Sequence, residues 1–282
     1  MGSPLYADPD GPLRLAVIAD STAFTGPAGP LLPDDPALYP NVAARAIEDA
    51  IGRRVIVGVV AHPGTGVRGT HYDVTKNRHI MFEVLMRADG VVLGLGSFDH
   101  APVGVPPPLE AMIPFVRPAA LRRRYRALLR AVHPAGVRLT RGRFARVPAG
   151  EFERLFDRIL HEVRALTWGA PGVVVGPTSH RSGYYGHLHP QHTARTAMQR
   201  TIAARHGFPF VESWPLVEPW VEKLNADGIH WPFETHEEIG RAVAAALVPQ
   251  IRGEIAPPGI PHYEGFDEAF ARAAQRDYRR EP

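Results

Sequence analysis

The sequence predicts an α/β protein: a three-layer sandwich in which helices cover both faces of a five-stranded parallel sheet. Short apolar runs alternate with amphipathic stretches along the chain, as expected when parallel strands alternate with crossover helices. The 282 residues, 45% of them hydrophobic, suffice to bury one large core without a second independent domain. Polar or glycine-containing loops follow the apolar runs, and ligands bind at such strand ends in an open parallel sheet.

We expect one domain over residues 1–253, with an insertion or lid at about 100–147 and a peripheral tail at 254–282. The absence of cysteine excludes disulfides, a thiolate nucleophile and cysteine metal sites, and fits a reducing compartment. The N-terminal segment lacks the charged and apolar regions of a signal peptide. No apolar run approaches the roughly 18 residues of a membrane span. These features predict a cytoplasmic protein; the formal charge of +3 is mild, and the oligomeric state stays open.

The first part of the chain contains three predicted strands and the helices between them. Gly94 interrupts the third strand, where a backbone or a ligand is expected to approach closely. A loop rich in glycine, proline and aspartate at 26–40 leads into the first helix. The elements are strands at 13–19, 55–60 and 91–95, a helix at 41–51, and a weakly signalled helix before Ala88.

The insertion begins after the third strand and is strongly basic. Prolines are expected to prevent regular structure as far as Ala119. From 117 to 146 there are ten arginines and no acidic residue, and apolar residues at helical spacing predict one basic amphipathic helix followed by a basic loop. It is read either as a solvated helix face or as a lid that contacts a ligand. Nucleic acid binding is the lesser interpretation because aromatic residues are sparse among the arginines.

The second half of the chain supplies two more strands and three clear helices. Gly207 is predicted to end one helix as a left-handed cap. Thr235 and Glu238 form a capping-box pattern that is expected to open the last helix. The predicted elements are a helix around 152–166, a strand at 173–175, a polar loop at 176–190, a helix at about 191–206, a strand at 208–211, an irregular helix at 214–224 and the final helix.

The pair Asp227 and His230 predicts the orienting half of a hydrolytic triad. A carboxylate three residues before an imidazole can fold back in one turn, accept a hydrogen bond from Nδ1 and stabilise the imidazolium. Ser21, directly after the first strand, is the candidate nucleophile. Its position opens a short helix whose N–H groups favour an oxyanion. Without its partners Ser21 would be read as a helix N-cap and His230 as a structural histidine; together the residues predict a serine acyl hydrolase or transferase.

At these residues the chain resembles the SGNH (GDSL-like) hydrolase superfamily. Ala19-Asp20-Ser21 is similar to its Gly-Asp-Ser block, Gly64 stands where its oxyanion glycine is expected, Gly96-Ser97-Phe98-Asp99 replaces Gly-x-Asn-Asp, and Asp227 to His230 matches Asp-x-x-His. The resemblance implies a flavodoxin-like fold and an oxyanion hole formed by the backbone N–H groups of Ser21 and Gly64. Phe98 replaces the asparagine that normally helps to hold the oxyanion, so a further donor stays unassigned.

Four passages, at 19–24, 33–41, 115–118 and 227–234, also resemble a mycobacterial family of SGNH-type acyltransferases that octanoylate glucosylglycerates in methylglucose lipopolysaccharide synthesis. This resemblance implies transfer of an octanoyl group from an acyl thioester, with acyl-CoA as co-substrate and no cofactor, to a sugar hydroxyl. An esterase or thioesterase is the alternative. The candidate substrate contacts are Asp20, Ser97, Asp99, Arg122, Arg123, Arg126, Tyr184, Tyr185 and Trp231. Apolar insertion residues are read either as an acyl pocket or as core: Val103, Val105, Leu109, Met112, Ile113 and Phe115.

Two other patterns suggest different chemistry. Residues 64–69 match G-x-G-x-x-G after a strand, with Asp89 twenty residues further on, which would indicate a nucleotide-binding module without hydrolytic activity. This glycine pattern follows the second strand, and the dinucleotide fingerprint needs its acid at the end of the next strand. Asp89 instead precedes the third strand. His187, His189 and His192 suggest a metal site, but Pro190 breaks their spacing and no carboxylate accompanies them. We therefore expect no metal.

Overall fold

Five strands form one parallel sheet in the computed structural model, which describes residues 11–261. The strands are β1 Leu13–Ala19, β2 Val55–Ala61, β3 Gly90–Gly94, β4 Gly172–Val175 and β5 Phe210–Val211. Their order is β2-β1-β3-β4-β5, and each neighbouring pair is parallel. The predicted α/β fold is confirmed, and the strand order reverses between β1 and β3, which is where such sheets bind ligands.

Helices cover both faces of the sheet, as predicted. The longer helices are α1 Tyr39–Ile51, α2 Val67–Lys76, α3 Ala119–Leu139, α4 Ala149–Leu166, α5 His192–Arg205 and α6 Phe233–Ile251. Side chains alternate across each strand, so β1 contributes Ile18 to the core beneath α2, α4 and α5, and Val17 to the core beneath α1 and α6. Because β1 is buried on both faces, its sequence is almost continuously apolar.

Two details of the predicted elements are wrong. The last helix begins at Phe233, after Pro232, so Thr235 lies inside its first turn, is fully buried and does not cap the helix. A proline before the first turn opens the helix three residues earlier than the capping pattern suggested. The proline-rich segment before Ala119 also contains short helices, Pro107–Ala111 and Ile113–Phe115. Proline is tolerated there because the first turn of a helix leaves its N–H groups unpaired anyway.

The basic segment forms a single helix, α3, that packs against the rest of the chain along a narrow face. Its buried residues are Leu129, His133 and Val137. His133 stacks on Tyr184 of the 176–190 loop, with the ring centroids 4.1 Å apart, and Nε2 of His133 accepts a hydrogen bond from the Gly104 N–H. These contacts attach α3 to the carboxyl-end loops of the sheet.

Neither end of the chain is among the described residues. Residues 1–10 and 262–282, which include most of the predicted tail, lie outside the described residues. Within residues 11–261 no helix has the length and apolar character needed to cross a membrane.

Candidate active site

Ser21, His230 and Asp227 meet beyond the carboxyl end of β1. The Oγ of Ser21 lies 2.8 Å from Nε2 of His230, and Nδ1 of His230 lies 2.6 Å from Oδ2 of Asp227. The structure thus joins two segments that are 209 residues apart in sequence. A serine hydroxyl, an imidazole and a carboxylate in this order form the arrangement in which the imidazole accepts the serine proton while the carboxylate orients the ring.

The turn that carries Asp227 is held by its own hydrogen bonds. Oδ1 of Asp227 accepts from the backbone N–H groups of Ile229 at 2.7 Å and His230 at 3.1 Å, and the N–H of Arg181 donates to the carbonyl of Gly228 at 2.7 Å. Burial alone would raise the pKa of Asp227, but the hydrogen bonds and charge of His230 outweigh it and hold that pKa at about 2. Asp227 is therefore ionised at neutral pH and can stabilise an imidazolium.

Two backbone donors are available next to Ser21. The strand β1 ends at Ala19, and Asp20 caps the short 3₁₀ turn Ser21–Ala23 by accepting from the N–H of Thr22. Within residues 11–261 the N–H groups of Ser21 and Gly64 have no hydrogen-bond partner. Both residues line the same cavity. Unpaired N–H groups beside a nucleophile are donors that can stabilise a tetrahedral oxyanion.

Gly64 and Phe98 line the same cavity as Ser21 and His230. Gly64 has φ +69°, a left-handed conformation that favours glycine. A Cβ on Gly64 would meet the Phe98 ring at 3.4 Å, and the guanidinium carbon of Arg146 lies 4.4 Å from the centroid of that ring. At the position where the resemblance to the SGNH superfamily expects an asparagine, the ring of Phe98 thus lies against Gly64, and a further oxyanion donor stays unassigned.

Asp99 does not line the cavity, contrary to its prediction as a substrate contact. It is buried beneath the glycine loop, where both carboxylate oxygens accept from the Val67 N–H, at 3.0 and 3.1 Å. The carboxylate lies so close to Gly66 that no side chain fits there. Burial raises the pKa of Asp99 to about 7, against the opposing effect of the Val67 hydrogen bond. Asp99 holds the start of α2, and through it the loop that carries Gly64.

The cavity beside the triad has a volume of about 380 Å³ and mostly apolar walls. Phe24, Pro30, Pro63, Ala101 and Ile229 line it together with Phe98. The polar lining comes mainly from the ends of the strands and from the Asp227 turn: Asp20, Thr22, Thr25, Ser97, Thr178, Ser179, His180, Tyr185 and Asn225. Such a cavity suits an apolar chain attached to a polar reacting group.

The 176–190 loop forms one wall of this cavity. Thr178 donates its N–H to Oγ of Ser97 at 3.0 Å, and the neighbouring Ser179 also lines the cavity. Nδ1 of His180 accepts from the Ser182 N–H, which places the proton of the neutral ring on Nε2. Burial lowers the pKa of His180 to about 4. The polar loop predicted at 176–190, directly after β4, thus contributes Thr178 and Ser179 to the cavity lining.

Several predicted substrate contacts lie elsewhere. The cavity lining contains Asp20, Ser97 and Tyr185, but not Tyr184, which stacks on His133. Trp231 is buried in the core, where its ring packs near Tyr39 and His236. The structure does not bring the three arginines of α3 into the cavity lining: Arg122, Arg123 and Arg126. Because only a narrow face of α3 packs against the protein, the sequence did not show which of its residues would lie near the cavity.

The proposed acyl-pocket residues divide into two groups. Val103 and Val105 are buried and line a second cavity of about 360 Å³, together with Phe144. Leu109, Met112 and Phe115 are exposed instead, Phe115 by 74%. Neither group lines the cavity at Ser21.

The features of the two rival patterns do not come together. Gly64 follows the carboxyl end of β2, whereas Asp89 precedes β3 and accepts from the Arg14 N–H at the amino end of the sheet. A dinucleotide fingerprint needs its acid and its glycine loop at the same edge. The rings of His189 and His192 are neighbours, but among residues 11–261 they and His187 do not form a group of three potential ligands that could hold a metal ion.

Comparison with known proteins gives close sequence relatives and a shared fold. No family model matches the chain. It is 30% identical over 242 residues to the diglucosylglycerate octanoyltransferase of Mycobacterium tuberculosis, covering 83% of this chain and 91% of that protein. It is 28% identical over 235 residues to the enzyme of the same name from Mycolicibacterium hassiacum, covering 83% and 94%.

Solved structures share the fold at low sequence identity. The lipase/acylhydrolase from Enterococcus faecalis superposes with a TM-score of 0.55 at 16% identity, over 87% of this chain and 98% of that one. A GDSL-like lipase from Parabacteroides merdae, described as putative, gives 0.55 at 11% identity, over 85% and 98%. The resemblance to the SGNH fold and to the mycobacterial octanoyltransferases is thereby confirmed.

Proposed function

The chain belongs to the diglucosylglycerate octanoyltransferase family, and on this premise we propose that it transfers an octanoyl group from an acyl thioester to a sugar hydroxyl of a glucosylglycerate. One observation carries the proposal at the level of chemistry. The 2.8 Å contact between Oγ of Ser21 and Nε2 of His230, with Asp227 behind the ring, supports a covalent mechanism in which the serine is acylated first.

In the first half-reaction Oγ of Ser21 attacks the thioester carbonyl carbon while its proton moves to Nε2 of His230. The carbonyl oxygen becomes an oxyanion that accepts hydrogen bonds from the N–H groups of Ser21 and Gly64. The carbon–sulfur bond then breaks, and the departing thiolate takes the proton from His230. The products are an ester of Ser21 and a free thiol.

The second half-reaction repeats these steps with a different nucleophile. The sugar hydroxyl attacks the Ser21 ester as its proton passes to Nε2 of His230. The bond between the acyl carbon and Oγ of Ser21 breaks, and the proton returns to the serine. The negative charge of Asp227 stabilises the imidazolium in both halves. The reaction needs no metal or cofactor, and the donor proposed for it is octanoyl-CoA.

Transfer requires that the acceptor outcompete water, which is present at about 55 M and has similar intrinsic reactivity. The enzyme must therefore hold the sugar with a high effective concentration and screen the ester from solvent. The wall formed by Thr178, Ser179, His180 and Tyr185 offers hydroxyl, imidazole and aromatic groups for a sugar. The names of the curated relatives support transfer over hydrolysis.

The remaining predicted contacts act outside the cavity in this proposal. Because Arg122, Arg123 and Arg126 lie on α3 and not in the cavity lining, we assign them to the charged part of coenzyme A that extends beyond it. Guanidinium groups suit phosphates because they form paired charge-assisted hydrogen bonds. The segment 100–147 then acts as a lid beside the site.

The test is the partition of one acyl group between two products. With octanoyl-CoA and saturating glucosylglycerate, we expect the sugar ester to be the main product by mass spectrometry. Free octanoate should be minor and should rise when the acceptor is withheld. If free octanoate dominates at saturating acceptor and no ester is detected, the protein is an esterase or thioesterase, and the transferase proposal is wrong.

A further inference from the structure

The basic helix α3 carries a row of large apolar side chains on its outer surface. Leu121, Leu128, Val132 and Leu139 are exposed by 51, 57, 44 and 86%. We call these four residues the apolar stripe of α3. Monomeric proteins rarely expose a continuous set of leucines of this size, and such patches usually mark an interaction surface.

Helical geometry shows that the stripe is one continuous feature. At about 100° per residue, its four members lie within about 40° of one another. They extend over 18 residue steps, or about 27 Å along the axis at 1.5 Å per residue. The buried residues Leu129, His133 and Val137 are centred about 120° away around the helix. The stripe therefore points away from the core and from the loop that His133 contacts.

The segment before α3 enlarges this apolar surface. Oη of Tyr125 donates to the carbonyl of Leu109 at 3.0 Å, which holds residues 107–115 beside the first half of α3. Leu109, Met112 and Phe115 are exposed there by 44, 51 and 74%. Together with the stripe they form one exposed apolar ridge.

The charge around this ridge has one sign. Between residues 117 and 146 there are ten arginines and no acidic residue. Among residues 11–261 only Arg146 of these ten forms an ion pair, with Glu110 at 3.2 Å. On an ideal helix Arg124 and Arg138 flank the stripe on one side, at about 60° and about 100° from its centre, and Arg122 flanks it on the other side at about 100°. A second copy of this chain would bring the same arginines against each other, so self-association through this face is opposed by charge repulsion.

We propose that the outer face of α3, with residues 107–115, docks the protein onto the surface of an anionic lipid bilayer. A helix with leucines on one side and arginines on its flanks is the pattern of an interfacial helix. The leucines enter the boundary between headgroups and acyl chains, while the long arginine side chains reach the lipid phosphates. Because the stripe faces away from the loop bearing Tyr184, docking leaves the cavity at Ser21 open. The inference is independent of the proposed function.

The test is flotation of the full chain with vesicles of phosphatidylcholine, with or without phosphatidylglycerol. We expect binding to the anionic vesicles at least about tenfold stronger than to neutral ones, and a loss of that preference as ionic strength rises from about 0.05 to about 0.5 M. Leu121→Ser, Leu128→Ser and Leu139→Ser combined should weaken binding about tenfold or more. Arg124→Gln with Arg138→Gln should do so by about tenfold.

Matched controls change equally exposed residues elsewhere. Leu32→Ser, Phe82→Ser and Ile255→Ser combined remove three exposed apolar side chains, and Arg45→Gln with Arg154→Gln removes two exposed charges. Both controls should bind vesicles like the wild type. Equal binding of the stripe variant and the wild type would overturn the proposal. Equally strong binding to neutral and anionic vesicles would also overturn it. So would a concentration-dependent oligomer, or a complex with an acidic protein, that forms through the stripe while no vesicles are bound.

Discussion

At the scale of single residues, the proposed mechanism predicts that acyl turnover depends on Ser21, His230 and Asp227. Because the three act as a unit, Ser21→Ala and His230→Ala should each lower kcat/KM for octanoyl-CoA by about a thousandfold or more. The thermal midpoint should change little, since neither side chain is in the core. A Ser21→Ala variant that keeps more than about a tenth of the wild-type rate would show that another residue is the nucleophile.

Asp227→Asn tests the tautomer of His230. An amide that donates to Nδ1 leaves the proton on Nε2, which then cannot accept from Ser21, so kcat should fall by up to about 10⁴-fold. Asp34→Asn is the matched control, because this exposed carboxylate lies outside the cavity lining and should leave kcat unchanged. Similar rates for Asp227→Asn and Asp34→Asn would contradict the assigned role.

For Asp99 we predict how the stability of the fold depends on pH, and not a change in catalytic rate. Its pKa is about 7 in the folded protein and 3.8 as the ordinary value, so the folded chain holds this proton more tightly than the unfolded chain. The stability that follows is full below about pH 4 and is lost as pH rises through 7. In chemical denaturation, Asp99→Asn should therefore gain stability relative to wild type over that interval, by at most about 1.4 kcal/mol per pH unit. A difference that does not vary with pH would contradict the buried-carboxyl account.

Residue roles could be predicted from sequence where they are local or follow a strand. Asp227 and His230 are three residues apart, and Ser21 directly follows a strong apolar strand, so these positions were accessible to sequence reasoning. Asp99 and Trp231 were not, because their burial depends on how a loop and a core close around them. The same polar or aromatic residue type fits a ligand contact or a structural role, and only packing distinguishes the two.

At the scale of elements, the loop from β2 to α2 should control catalysis through Gly64. Gly64→Ala places a methyl group against Phe98 and strains a backbone at φ +69°. The displaced N–H should cost about a hundredfold in kcat, the usual loss of one oxyanion donor. Gly52→Ala is the matched control, since Gly52 has the same φ of 69° but no neighbour within 4 Å. Equal activity of the two variants would remove Gly64 from the oxyanion hole.

Elements were predictable where burial was complete. The strands β1 and β3 read as apolar runs because both faces are covered, and their positions agreed with prediction within one residue. The start of α6 and the short helices before α3 were missed, because proline disrupts the interior of a helix but is tolerated in its first turn. The segment of α3 was predicted as a basic amphipathic helix, but the sequence did not show that Leu121, Leu128 and Val132 would stay exposed.

At the scale of the whole molecule, buried neutral histidines should make the fold sensitive to acid. Burial lowers the pKa of His100 to about 3, of His180 and His236 to about 4, and of His189 to about 2. As pH falls through about 6.5, the histidines of the unfolded chain become protonated while these buried rings stay neutral. The stability that the buried rings contribute is therefore present above pH 6.5 and is lost as pH falls toward 4. The raised pKa of Asp99 has the opposite effect on the pH dependence of stability, equivalent to at most one proton.

The free energy of unfolding measured by denaturant titration should therefore fall steeply between about pH 6.5 and 4. His236→Gln should make that slope smaller by about one proton, or about 1.4 kcal/mol per pH unit. His236 is a suitable site because its ring bridges the Tyr39 N–H and the Thr25 carbonyl, and glutamine can replace both bonds. A stability that does not depend on pH across this interval would contradict the neutral, buried state of these rings.

The central claim is that Ser21 carries the acyl group between donor and acceptor. The most direct measurement is the mass of the protein after rapid mixing with octanoyl-CoA, followed by peptide mapping and then by addition of a glucosylglycerate. The account predicts one octanoyl group on the peptide containing Ser21, its loss on adding the acceptor as the sugar ester appears, and no labelling of Ser21→Ala. An octanoyl group on another residue, or sugar ester formed at the wild-type rate by Ser21→Ala, would contradict it.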